Sequence, residues 1–140
     1  MKRIALLSCV SKKTHERNKA SDLYISTWFK KCKNFVDKEY DNWYILSAKY
    51  GLIHHSDVIE PYDITLSQMP QAQRILWGIE ICDKLNNLYS QEAINIDIYA
   101  GQLYRKYIIN NLDKFEINYR IPLIGMGIGE QLKELNRLSK

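Results

Sequence analysis

The sequence predicts one α/β domain of three layers, with a mostly parallel central sheet of about four strands flanked by helices. Three observations carry that expectation. Short apolar runs such as "RIALLSCV" and "NWYIL" have the character of buried strands. Longer stretches between them repeat their apolar residues at helical spacing. Strand and helix then alternate along the chain, the pattern of a parallel sheet with helical crossovers. The 140 residues suit a single core spanning 1–140.

"RIALLSCV" is the first strand. Its basic start and few apolar residues are too short for a secretory leader, and Lys12 and Lys13 close it without a small-residue cleavage site. "SDLYISTWFKKCKNFVDKEY" follows as a helix. Ile25, Trp28, Phe29, Cys32, Phe35, Val36 and Tyr40 form its stripe, and Ser21 or Asp22 is the expected N-cap. "NWYILSAKYGL" is the second strand. Ser47–Leu66, "SAKYGLIHHSDVIEPYDITL", has neither period and reads as a loop. "PQAQRILWGIEICDKLNNLY" is a helix with Pro70 near its first turn and Ile75, Leu76, Ile79, Cys82, Leu85 and Leu88 on one face. "INIDIYAG" is the third strand, and its alternation of isoleucine with polar residues predicts partial exposure. "QLYRKYIINNL" is a short helix. "YRIPLIGMGIG" is a fourth strand, where Pro122 marks an edge or strand end. The last helix has the stripe Ile128, Leu132, Leu135, Leu138.

Composition sets outer limits. Hydrophobic residues make up 46% of the chain and charged residues 26%, which excludes a disordered chain. The apolar runs are too short for a membrane helix. Cys9, Cys32 and Cys82 form no CxxC pair, so neither a disulfide framework nor a zinc spacing is expected. A reducing cytoplasm is the expected location, and a monomer the working assumption. The net charge of +4 permits a polyanionic partner without demanding one.

In an α/β sheet the functional crevice lies at the carboxyl ends of the strands. The loops after Cys9, Ser47, Tyr99 and Ile124 should meet there. Cys9 precedes Lys12 and Lys13, whose charge favours thiolate and suits phosphate, and His15 and Arg17 add to it. The alternative is a buried thiol with solvated lysines. In the second loop Lys49 and Tyr50 follow the strand directly. His54 and His55 are adjacent, so their side chains are expected to point apart and no metal is predicted. Pro61 stiffens "EPYD", holding Glu60, Tyr62 and Asp63. These carboxylates can orient water and face a developing cation, while a tyrosine ring can stack on a base. The structural alternative is that Asp63 caps a turn and Tyr62 packs. "YAGQLY" and "GMGIGEQL" each place glycines (Gly101, and Gly127 with Gly129) before a helix whose N–H groups suit an anion. Glu130 and Gln131 open the last helix, where Gln131 reaches a base edge or serves as a cap. No cofactor is called for.

Together "SCVSKK", "SDLYISTWF", "WYILSAKYGLI", "VIEPYDITL", "YAGQLYR" and "PLIGMGIGEQL" resemble a small domain family of unknown function in the YaaA-like superfamily. The resemblance covers nearly the whole chain in order. It implies a relation to a domain of archaeosine synthase, which modifies a 7-deazaguanine base in transfer RNA, and a fold similar to uracil-DNA glycosylases. The synthase pattern Cys-x-x-x-Lys-Pro-Tyr is met at Cys9 and Lys13, with Thr14 and His15 in place of proline and tyrosine. The glycosylase Asp-Pro-Tyr motif is echoed by Glu60-Pro61-Tyr62, with Asp63 just after.

The expected function is therefore that of an enzyme acting on a nucleobase in nucleic acid, DNA ahead of RNA. Its most concrete form is an N-glycosidase that excises a modified or damaged base. Glu60 or Asp63 positions water, and Lys13, Lys49, Tyr50 or Gln131 donates to the departing base. Tyr62 or Tyr24 walls the flipped base, and Lys12 or Lys13 meets phosphate. Two alternatives stand beside it: base modification with Lys13 as nucleophile, and a non-catalytic nucleic-acid or nucleotide-binding module.

Overall fold

The computed structural model describes residues 1–8 and 13–140. Cys9 and Lys12 lie outside the described residues. The chain is an α/β domain whose five-stranded sheet runs β4-β3-β1-β6-β7, with β1 (Lys2–Ser8) at its centre. β3 (Asn42–Ser47) and β6 (Ile94–Tyr99) pair with β1 in parallel, and β7 (Asn118–Arg120) is parallel to β6. Within this sheet β4 (Gly51–His54) runs antiparallel, hairpinned onto β3. A separate two-stranded ribbon joins β2 (Asn18–Lys19) to β5 (Val58–Ile59).

The period of the strands builds the layers. Along β1, Ile4 and Leu6 face one core while Ala5 and Leu7 face the other. On β3, Tyr44 and Leu46 join the first core, and Trp43 and Ile45 the second. The first core is covered by α3 (Gln71–Leu88) and α4 (Gln102–Lys114). The second is covered by α2 (Thr27–Glu39) and α5 (Ile128–Leu138). Cys32 and Cys82 are fully buried, one in each core, and burial pushes the Cys82 thiol up to about 12. Among the described residues no helix is long and apolar enough to cross a membrane.

Five expectations change. The sheet has a fifth strand because Ser47–Leu66 is not all loop: Gly51, at φ +73°, turns the chain back into β4. The first helical stretch is two helices, α1 (Ala20–Leu23) and α2. The cap of α2 is Ser26, whose Oγ accepts from the Phe29 N–H at 3.1 Å, rather than Ser21 or Asp22. β6 is interior rather than half-exposed. Its isoleucines fill the first core, while Asp97 and Tyr99 are buried on the opposite face. On α3 the buried side is Trp77, Gly78, Ile81, Cys82 and Leu85, whereas Ile75, Leu76, Ile79 and Leu88 are exposed. The reason is Gly78: a Cβ there would lie 2.0 Å from the Tyr107 carbonyl oxygen, so α3 meets α4 along its glycine side.

Candidate functional site

The first loop and the "EPYD" segment are stapled together by backbone. Asn18 pairs with Ile59 and Lys19 with Val58 in the β2–β5 ribbon. The Ala20 N–H donates to Asp57 O at 2.7 Å, and the Ser21 N–H to His55 O at 2.9 Å. Lys13 is bridged to Tyr24, and the Thr14 N–H donates to Leu23 O at 2.8 Å. Residues 13–24 and 55–63 thus form one wall, although some forty residues separate them.

In that wall is an open cavity of about 540 Å³, lined among the described residues by Lys13, Thr14, His15, Ile25, Pro61, Tyr62 and Asp63. Lys13 Nζ stands 4.5 Å from the Tyr62 ring centroid and 5.8 Å from that of Tyr24. Beneath it the hydroxyls form a chain: Tyr24 and Tyr62 share a 2.6 Å hydrogen bond, and Ser47 Oγ donates to the Tyr62 oxygen at 2.8 Å. Ser47 Oγ also accepts from the Tyr50 N–H at 3.0 Å, and Trp77 Nε1 donates to Ser47 O at 2.8 Å. The tyrosine under the lysine is thereby tied to the carboxyl end of β3. Asp63 is exposed, with no hydrogen bond or ion pair to any described residue that would make it a turn cap. The local cap belongs instead to Thr65 and Gln68.

The remaining predicted residues divide. Glu60 does not line this cavity; it is exposed and lies 3.8 Å from Arg17. Tyr24 is fully buried and meets the site through the Tyr62 hydroxyl. Tyr50 packs edge-on against Tyr62 at 5.5 Å, and its hydroxyl donates to Glu60 O at 3.4 Å. Lys49 lies over the Tyr50 ring and, with Tyr50, lines a separate hollow against α3. His54 and His55 do not point apart. Their rings lie 4.1 Å from each other because His55 stacks on Trp43 at 4.7 Å, and His54 bonds Ser56 through Nδ1 and Asn42 through Nε2. Burial and the neighbouring His54 lower the His55 pKa.

A larger cleft, about 740 Å³, opens at the carboxyl ends of β1 and β6. These adjacent strands send their following helices to opposite faces, α2 to one and α4 to the other, which is the switch point of an α/β sheet. Ser8, Ser26, Trp28, Tyr99, Gly101, Arg105, Met126 and Gln131 are among its lining residues. Gly101 caps α4 and Gly127 caps α5. Gln131 is engaged at both ends, accepting from Trp28 Nε1 at 2.8 Å and donating to Met126 O at 3.0 Å. Gly127, Gly129 and Glu130 do not line the cleft.

Trp28, Arg105 and the polar group behind Tyr99 are site features that helix and strand periodicity does not mark as such. There the buried Asp97 carboxylate accepts from Tyr40 at 2.6 Å and from Arg120 at 2.9 and 2.7 Å. A charged residue amid the isoleucines of "INIDIY", with an arginine on the next strand, was the available signal.

The family described as a family of unknown function (DUF6884) matches residues 4–137. An uncharacterised protein of Bacillus subtilis (strain 168), YfjM, is 27% identical over 145 residues, covering 98% of this chain and 95% of its own length. No solved structure matches the chain at a significant level.

Proposed function

The chain belongs to the DUF6884 family, and from that premise we propose that it is a nucleic-acid-directed enzyme that acts on a nucleobase, most concretely an N-glycosidase for a modified base. One observation carries the reading: Lys13, Tyr62 and Asp63 line a single cavity, with Asp63 exposed there and bonded to no described residue. The motif resemblance to the YaaA-like superfamily, to archaeosine synthase and to uracil-DNA glycosylases points to the same substrate class.

Hydrolysis of an N-glycosidic bond adds a water oxygen to the anomeric carbon. The electron pair of the broken bond leaves on the base, which takes up a proton. Asp63 has the chemistry to hold the water and to face the cationic sugar. The Lys13 ammonium, held over Tyr62, is the donor toward the departing base. Glu60 is the weaker candidate, being turned to Arg17 outside the cavity lining.

The test uses oligonucleotides carrying assorted modified bases, followed by alkali cleavage and chromatography of released base. Free base and alkali-labile sites are expected, reduced 100-fold or more in Asp63→Asn. Tight binding with no base released from any substrate overturns the reading and leaves a binding module. A second reading, Lys13 as nucleophile, is favoured by its place in the same cavity. It predicts a borohydride-trapped adduct that disappears in Lys13→Ala.

A further inference from the structure

We propose that the cleft at the carboxyl ends of β1 and β6 is a binding site for a phosphorylated heteroaromatic unit, a nucleotide, distinct from the Lys13–Asp63 cavity. Its shape and walls state the ligand. The volume of about 740 Å³ exceeds what a bare base needs and lies within the range of small-ligand sites. Trp28, Ile98, Ile121, Leu123, Met126 and Leu132 supply apolar walls. Against that background the polar features all favour an anion.

Three helices begin at the cleft. Thr27 and Trp28 open α2, Gln102 opens α4 and Ile128 opens α5, and all four line it. Each N-terminus adds partial positive charge. The Arg105 guanidinium lines the same space, held by one bond from its Nη1 to Ala100 O at 3.0 Å and paired with no carboxylate among the described residues. A separate observation points to a ligand. Ser8, at the end of β1, is only 8% exposed and lines the cleft, yet its hydroxyl has no hydrogen-bond partner among the described residues. That hydroxyl is open to the cleft rather than sealed in the core, so a ligand oxygen or ring nitrogen there can pair with it.

The two cavities adjoin along the chain. Ile25 lines one and Ser26 the other, and Ser8 and Lys13 flank the same short segment. The choice of a nucleobase as the ring rests on the function proposed above; the requirement for an anion with an apolar body does not. The phosphate could come from a free nucleotide or from a nucleic-acid strand.

The full chain is titrated with purine and pyrimidine nucleoside monophosphates, the matching nucleosides, inorganic phosphate and a short single-stranded oligonucleotide, by calorimetry and tryptophan fluorescence. Saturable binding of a monophosphate or of the oligonucleotide is expected, at least tenfold tighter than that of the nucleoside. Monophosphate binding identifies a free nucleotide as the source, and oligonucleotide binding alone identifies a strand. Gly101→Leu should weaken binding tenfold or more without unfolding the protein, because a Cβ there meets nothing within 4 Å and the backbone is of ordinary extended type. Arg105→Gln should act in the same direction. Absence of saturable binding to every probe, or full affinity in Gly101→Leu, overturns the proposal. Nucleotide binding without base release overturns the glycosidase reading alone.

Discussion

Asp63 and Tyr62 are neighbours in sequence with opposite physical status. Tyr62 is buried and hydrogen-bonded to Tyr24 and Ser47, so Tyr62→Phe removes a buried hydroxyl chain and should cost about 1–2 kcal/mol in denaturant unfolding. Asp63 is exposed and holds nothing together among the described residues, so Asp63→Asn should change the melting temperature by less than about 2 °C while cutting base release 100-fold or more. That separation of activity from stability is what a functional carboxylate requires. His55 makes a different prediction. Its pKa is lowered in the fold by burial first and by His54 second, so the unfolded chain takes up the proton more readily. The associated stability is full above the unfolded value of about 6.5 and is lost as pH falls through the folded pKa. Unfolding free energy measured from pH 7.5 to 5 should decline, and His55→Phe, which keeps a ring on Trp43, should flatten the decline.

Helix α3 shows how an element's buried side is chosen by its neighbour. By hydropathy the stripe containing Ile75, Leu76 and Ile79 would be inside, but close approach to α4 at Gly78 turns Trp77, Ile81 and Leu85 inward. Gly78→Ala gains about 1 kcal/mol of helix propensity. It also drives a methyl into the Tyr107 carbonyl, and net destabilisation of at least about 2 kcal/mol is expected by denaturant titration. Strand β6 makes the same point with charge. Asp97 sits at 2% exposure because Tyr40 from the end of α2 and Arg120 from β7 satisfy it. Arg120→Ala should cost about 2 kcal/mol, since two charge-assisted bonds to a buried carboxylate disappear. Lys at the same position, unable to form the two-pronged contact, should recover only part of it.

Across the molecule, one hydroxyl network links the second core to the sheet. Tyr40 gives its proton to Asp97, so the 2.7 Å bond to Tyr99 runs from the Tyr99 hydroxyl to the Tyr40 oxygen. Burial pushes the Tyr99 hydroxyl up to about 12, and burial with the Asp97 bond raises Tyr40 further. Both folded pKa values lie above the unfolded one near 10, so this stability is present below pH 10 and is lost as pH rises toward 12. Alkaline unfolding should be cooperative above pH 10, with tyrosinate absorbance at Tyr99 appearing with loss of structure, and Tyr99→Phe should move the transition.

Much of this protein was legible in its residues. The alternation of apolar runs with helical stripes determined the α/β class and the parallel strands, because burial on both faces of a sheet demands apolar runs and the crossovers demand amphipathic helices. The crowding of Lys13, Tyr62 and Asp63 into segments without a period pointed to the candidate site, because such segments follow neither the helix nor the strand repeat. Tertiary structure alone decided the rest. The β2–β5 ribbon brought Lys13 to Asp63 and turned Glu60 toward Arg17. The Gly78 contact reversed the face of α3, and the pairing of Asp97 with Arg120 permitted a charge inside β6. These are contacts between residues distant in the chain. Periodicity reports only whether a residue is covered, whereas which partner covers it depends on how separate elements meet.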